Sequence, residues 1–256
     1  MLSIFPIPAF NDNYIWALVD DDRQQAIIVD PGGATPVLAF LAQRKLMISA
    51  ILITHKHHDH TGGIPALLDA FPNALVFANS VEGVECATQT VSDKDVITIN
   101  DHIFKVIAIP GHTLGHVAYY CKPYLFCGDT LFTNGCGRIF EGTAEQMLSS
   151  LKKLMALPDD TFIYCGHEYT LSNIKFALHI ESNNIELQKR FEEARRLRSE
   201  NKPTVPSTLK LEKDTNPFLR CSEPSVIEAV SNYIGKKLNS ESQVFYELRQ
   251  WKNAFS

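Results

Sequence analysis

Short apolar runs, cut by turn residues, dominate the first two thirds of the chain. "YIWALV" (14–19) and "QAIIVD" (25–30) predict strands, the second ended by Asp-Pro-Gly-Gly, a turn signal. "ISAILIT" (48–54) predicts a strand buried on both faces. Similar runs at 74–79, 95–99, 103–111, 116–121, 124–129 and 161–166 predict further strands. Helical spacing separates some of them, over 34–44, 63–70 and 143–156. Strands interleaved with helices predict a layered α/β domain.

The pattern changes near residue 168. "LSNIKFALHI", "NNIELQKRFEEARRLRSE", "SEPSVIEAVSNYIGKKL" and "SQVFYELRQWKNAF" all show helical spacing. "NKPTVPST" (201–208) is a proline-punctuated break between helices. Two units are therefore expected, an α/β domain over 1–168 and a smaller α-helical one over 169–256. The apolar stripe of 169–200 reads as core packing, and the charge run "KRFEEARR" as a solvated helix face.

With 256 residues, 45% hydrophobic and 21% charged, the composition is that of ordinary soluble globular proteins. A net charge of -5 gives no reason to expect nucleic acid or an acidic membrane as partner. An anionic ligand would need a local basic patch. No apolar run reaches the length of a membrane span, and the N-terminus shows no signal-peptide pattern. The six cysteines form no Cys-x-x-Cys pair and read as reduced thiols, which points to the cytoplasm.

"THKHHDHTGG" (54–63) alters this bland picture, because it holds four of the nine histidines. It follows a predicted strand, and ligand sites in open α/β sheets lie at the carboxyl ends of strands. A solvated polar loop is the plain alternative, and the density of histidine argues against it. His55 and His57 alternate, so an extended turn would project them together. Asp59 and His60 would face a second point nearby. Neutral imidazole with carboxylate is the ligand set of zinc, iron or manganese.

Four further strand ends carry a polar residue near a glycine: Asp30, His112, Asp129 and His167. Any one of them reads plainly as a satisfied strand-end group. Together they point to a single rim. The ligands divide into His55, His57 and His112 for one ion and Asp59, His60 and His167 for another. Asp129 bridges them, and Asp30 is left as an acceptor from a ligand histidine. Two such ions can share a hydroxide and polarise a carbonyl.

"THKHHDH", "GHTLGH", "GDTLF" and "GHEYT" resemble the ordered motifs of the metallo-β-lactamase fold superfamily. "GDTLFTNGCGRIFEG" (128–142), "GHEYTLSNIKFALHIE" (166–181) and "KPTVPSTLKLEKDTNPFLR" (202–220) make the chain similar to the hydroxyacylglutathione hydrolases, the glyoxalase II family. The similarity runs from "FNDNYIW" (10–16) to "RQWKNAF" (249–255). It implies an αββα sandwich with metals at its rim, then an α-helical C-terminal domain that binds the glutathione part of S-lactoylglutathione. It implies the same ligand division, with two divalent ions, zinc first and iron or manganese as alternatives. A monomer acting on a small glutathione thioester is expected. Glutathione contacts fall on Tyr169, Arg249 and Lys252. Where relatives often have lysine and tyrosine, this chain has Arg138 and Phe140. Arg138 keeps the charge with another geometry, and Phe140 lacks a hydroxyl.

The expected reaction is thioester hydrolysis in methylglyoxal detoxification, yielding glutathione and D-lactate. A metal-bound hydroxide held by Asp59 and Asp129 would attack, and the ions would stabilise the oxyanion. Cys127 and Cys136 have no histidine beside them in sequence, so a covalent thiol route is not expected. Arg249 and Lys252 stand three apart and share a helix face, the plain alternative being solvated charges. His58 should turn away from both ions. His116 reads as structural, and His102 and His179 as surface or packing groups. Two competing readings remain. One is another enzyme of this fold: a lactonase, nuclease, flavoprotein or sulfur dioxygenase. The acidic balance argues against a nuclease, and a persulfide dioxygenase would use one iron and three ligands. The other is a metal-binding module without catalysis, which should lack a ligand or the bridge.

Overall fold

The structure, a computed structural model, describes residues 2–255. Two six-stranded sheets form its centre. In the first, β1 (Ser3–Ala9), β2 (Asn13–Asp20), β3 (Gln25–Val29), β4 (Met47–Leu52), β5 (Leu75–Asn79) and β6 (Gln89–Val91) lie in sequence order. The second contains β7 (Val96–Ile99), β8 (His102–Ala108), β9 (Val117–Cys121), β10 (Tyr124–Gly128), β13 (Phe162–Cys165) and β14 (Ser207–Thr208), ordered β14-β13-β10-β9-β8-β7. A separate ribbon pairs β11 (Leu131–Phe132) with β12 (Gly135–Cys136).

Strand β2 shows why the layers stack. All of its residues are buried. Tyr14, Trp16 and Leu18 share a core with Phe104, Val117 and Leu125 of the facing sheet. Ile15, Ala17 and Val19 point the other way, toward Val37 and Leu41 of α1 (Ala34–Arg44) and Leu67 of α3 (Ile64–Ala70). A strand covered on both faces is apolar along its middle, here over 14–19. On the far side, α4 (Ala144–Met155) adds Met147, Leu151 and Leu154 to the inner core. A Thr143–Gln146 capping box starts that helix. The result is the expected αββα sandwich.

The sequence pattern missed several small elements. β1 carries Pro6 and Pro8, which a strand tolerates because β1 is at a sheet edge. The histidine cluster is not an extended turn throughout, since His58–Thr61 wind into one helical turn, α2. The proline-punctuated break hides β14, and α7 (Leu209–Thr215) follows it.

Helices α5 (Thr170–Ile180), α6 (Ile185–Ser199), α8 (Pro224–Ile234) and α9 (Glu241–Ala254) complete the chain. Packing does not stop at residue 168. β14 pairs with β13 through Phe162↔Thr208 and Ile163↔Ser207. Phe176, Phe218, Val226, Phe245 and Leu248 belong to the same core cluster as the second sheet.

Candidate active site

Both sheets deliver polar residues to one rim. β3 ends before Asp30, β4 leads to His55, β10 ends before Asp129, and β13 ends before Gly166 and His167. The backbone bends sharply at two of these exits. Gly128 has φ +47, and a Cβ there would stand 2.3 Å from Thr54 Oγ1. Asp30 itself has φ 52, a strained conformation held in place by three hydrogen bonds.

Three imidazoles converge first. His55 Nε2 and His112 Nε2 each lie 3.0 Å from His57 Nδ1. Their outer nitrogens are already committed. Thr54 Oγ1 donates to Asp30 Oδ2 at 2.6 Å, so it can only accept from His55 Nδ1, at 3.0 Å. His112 Nδ1 donates to Arg138 O at 2.8 Å. The inner nitrogens of His55 and His112 therefore carry lone pairs. Burial pushes the pKa of both rings down and keeps them neutral, the form that binds metal. A single proton on His57 Nδ1 could serve one neighbour, whereas a cation serves all three nitrogens.

A second group stands beside the first. His60 Nδ1 donates to Asp30 Oδ2 at 3.0 Å, and His167 Nδ1 to Asp12 Oδ1 at 2.8 Å. Their Nε2 atoms face inward, 3.5 and 3.4 Å from Asp59 Oδ2. Asp129 reaches both groups: Oδ1 is 3.5 Å from His60 Nε2, and Oδ2 is 3.2 Å from His167 Nε2 and 3.5 Å from His112 Nε2. His60 Nε2 and Asp129 Oδ1 are buried without a hydrogen-bond partner. Burial lowers the pKa of His60 and His167, but the surrounding carboxylates, Asp129 with Asp30 for His60 and with Asp12 for His167, together raise both. Burial alone would raise Asp129, and the charges on His60 and His167 hold it well below the usual carboxylate range. A positive charge is favoured here, and the donors fit a divalent cation. Ligand atoms within each trio lie within 4.8 Å of one another. A Cβ at Gly166 would fill the space against Asp129 Oδ1, at 2.5 Å.

The remaining histidines are not in either ligand group. His58 is exposed. His116 is buried, stacks on His55, and accepts from the Asp129 N–H at 3.2 Å. His102 lies near Asp20, and His179 packs edge-on to Trp251.

From the rim, one cavity of about 600 Å³ runs to the C-terminal helices. At the near end it is lined by His57, Asp59, His112, Asp129 and His167. Arg138, Tyr169, Arg249 and Lys252 line the rest, so all four expected substrate contacts share the cavity with the ligand cluster. Arg138 is exposed. Tyr169 stacks on His167 at 4.7 Å between ring centroids and meets Phe132 edge-on. Phe140 sits edge-on to His57 and His112. Arg249 is no solvated charge: it is only 4% exposed, and Nη1 donates to Cys136 O at 2.7 Å. Lys252 makes 3.4 Å contacts to Ser172 and stands over the Phe176 and Phe255 rings, and burial beside Arg249 and Arg138 pushes its pKa down to about 8.

The fold is shared with ETHE1 from Myxococcus xanthus, a solved structure that matches over 100% of both chains at a TM-score of 0.67 and 24% identity. The family model described as Metallo-beta-lactamase superfamily matches residues 12–79 and 89–167. The one described as Hydroxyacylglutathione hydrolase C-terminus matches residues 168–255. The hydroxyacylglutathione hydrolase of Nitrosomonas eutropha is 49% identical over 257 residues, 100% of each chain. That of Aliivibrio salmonicida is 51% identical over 255 residues, again 100% of each. The chain belongs to the hydroxyacylglutathione hydrolase family.

Three features of this hydroxyacylglutathione hydrolase chain were invisible to motif reading. Asp12 and Asn13 orient the second group, Asn13 Nδ2 donating to Asp59 Oδ2 at 2.9 Å. In sequence they look like ordinary turn formers before a strand. Glu82 bonds two ligand-bearing loops, and nothing in "NSVEGVE" marks it. Finally, the loop after Asp129 is held by the C-terminal half. Asn173 donates to Thr133 O, Asn216 donates to Phe132 O and Gly135 O, and Glu212 accepts from the Asn134 N–H at 2.7 Å. Part of "KPTVPSTLKLEKDTNPFLR" thereby acts on the active-site wall.

Proposed function

We propose that the protein hydrolyses S-(2-hydroxyacyl)glutathione thioesters, S-lactoylglutathione foremost, to glutathione and a 2-hydroxy acid such as D-lactate, and so serves methylglyoxal detoxification. The observation that carries this reading is the single cavity with a cation-seeking cluster at one end and three basic side chains at the other. Glutathione thioesters have the matching shape, a reactive carbonyl joined to a tail with two carboxylates. The full-length relatives that carry the hydrolase name support the same substrate class.

In this reading His55, His57 and His112 hold one divalent ion, Asp59, His60 and His167 a second, and Asp129 touches both. Zinc suits the donors best, with iron or manganese in one or both places. Bound there, such ions supply an activated water at neutral pH and an electrophile for the thioester oxygen. The chain's own part is orientation. Asp30, Thr54, Asp12 and the Arg138 carbonyl hold the outer ring nitrogens of His60, His55, His167 and His112, so the inner nitrogens of these four are presented with their lone pairs forward. Asp59 and Asp129 position the water. Tyr169, Arg138, Arg249 and Lys252 hold the glutathione tail. No side chain serves as nucleophile: burial raises the thiol pKa of Cys127 and Cys136, so neither offers a thiolate at neutral pH.

The six cysteines stand as free thiols, in keeping with a cytoplasmic protein, and no described helix is long and apolar enough to cross a membrane. The protein acts as a monomer in this reading, since one chain contributes both ends of the cavity. The test is metal analysis of the purified protein joined to hydrolysis of S-lactoylglutathione and of a small thioester without carboxylates. Two ions per chain and a strong preference for the glutathione substrate are expected. No thioester cleavage by protein loaded with two ions would sink the proposal.

A further inference from the structure

Glu82 is a buried carboxylate, 4% exposed, that no step above uses. It ends a 3-10 turn (Ser80–Glu82) after β5. Its two oxygens point at two different loops. Oε2 accepts from the Lys56 N–H at 2.7 Å, and Oε1 accepts from the Gly115 N–H at 2.7 Å. Lys56 lies between His55 and His57, and Gly115 lies between His112 and His116. One carboxylate therefore ties together the two loops that supply the three converging nitrogens. Gly115 leaves room for this contact, because a Cβ there would stand 2.6 Å from Glu82 Oε1.

The second group is braced by other means. His60 rests on Asp30, His167 on Asp12, and Asp59 on Asn13. An outer brace spans the same two loops as Glu82, with Lys56 Nζ 2.7 Å from Glu141 Oε1 and the Leu114 N–H donating to Glu141 Oε2. That brace is part-exposed, where ion pairs contribute little. A backbone bond from the Val117 N–H to Thr54 O pins the base of the two loops, and the buried carboxylate spans them farther out, at Lys56 and Gly115.

We propose that Glu82 is a positioning residue that sets the spacing of His55, His57 and His112 and so tunes the affinity of that trio alone for a divalent cation. The inference rests on the two-ion reading above, but its test reads metal binding and not hydrolysis, so the two ideas fail separately. Apoprotein is titrated with Zn²⁺ against a chromophoric chelator. The parent should bind in two steps, and His112→Ala identifies the step that belongs to the three-histidine trio by removing it. Glu82→Gln keeps the size but offers one oxygen to two N–H donors. It should weaken that step by about 10–100-fold, the range for groups that orient metal ligands, and leave the other step in place. Gly115→Ala displaces the carboxylate from the opposite side and should reproduce the selective loss even if Glu82→Gln fails to fold. Unchanged affinity in both steps, or an equal loss in both with a lower melting temperature, would overturn the proposal in favour of general fold support. A parent that shows one step or none would instead remove the two-ion reading.

Discussion

The two ends of the active cavity are built to different standards. At the rim, the outer nitrogens of His55, His60, His112 and His167 all have a fixed partner within 3.0 Å. At the basic end, the hydrogen bonds of Lys252 are long, 3.4 Å to Ser172, its other contacts are the Phe176 and Phe255 rings, and Arg138 is exposed. In the proposed function the rim is organised before substrate arrives, and the basic end would be completed by the glutathione tail. Reaction geometry tolerates little displacement, and so the rim is stiff. Recognition of a flexible peptide tail gains from long side chains that can adapt. Arg249 sits between the two regimes, buried like a rim residue yet facing the basic end.

The sharpest way to break this contrast is at Asp129, which belongs to both ligand groups. Asp129→Ala should lose more than the roughly 100-fold typical of orienting residues and should release bound metal. Near-normal turnover with full metal content would end the two-ion assignment. Asp30 should matter less. Asp30→Ala should cut activity about 10–100-fold, because His60 and Thr54 lose their common acceptor while every ligand remains. Metal content per chain, measured alongside the rate, checks that ranking.

At the basic end the effects should fall on binding. Lys252→Ala should lower kcat/KM on S-lactoylglutathione by about tenfold to a hundredfold, the equivalent of one charge-assisted hydrogen bond of about 1.5–3 kcal/mol. A small thioester without carboxylates should be cleaved equally by variant and parent. Arg249→Ala should differ, because the Cys136 carbonyl also loses its donor, so a lower melting temperature should accompany the loss of affinity. Equal stability in the two variants would show that Arg249 serves the ligand only.

The smallest predicted effect is a pH response. Burial, with Arg249 and Arg138 nearby, lowers the Lys252 pKa to about 8. The protonated amine is the form that attracts a carboxylate. Its contribution is therefore present below pH 8 and fades as pH rises through that value. KM for the glutathione thioester should climb across that window while kcat holds, and Lys252→Ala should abolish the climb. A KM that stays flat from pH 7 to 9 in the parent would contradict the assignment.

Much of this was legible in the sequence because the candidate ligand residues follow strands, and strands announce themselves as apolar runs. "IIVD", "ILITH", "FCGD" and "YCGH" each pair a buried strand with a polar residue at its exit. The helical turn at His58–Thr61 was not legible, since four polar residues carry no periodicity. Nor were Asp12, Asn13, Glu82 and Glu212. Each acts through a partner far away in sequence, and a polar side chain reads the same whether it faces water or a buried amide. β14 was hidden for a related reason: two residues just after Pro206 become a strand only because β13 offers them an edge.

The hold of the C-terminal half on the 132–136 loop bears on how such proteins can be recombined. Carbonyls of Phe132, Thr133, Gly135 and Cys136 and the amide of Asn134 all bond side chains from Asn173, Glu212, Asn216 or Arg249. A shuffled gene that kept the sandwich and attached a foreign module would leave these groups without partners, a few residues from Asp129. The C-terminal helices are thus also a mould for the wall beside Asp129. New substrate preferences are easier to reach by changing side chains on that mould, Phe140 or Arg138 for instance, than by exchanging it whole.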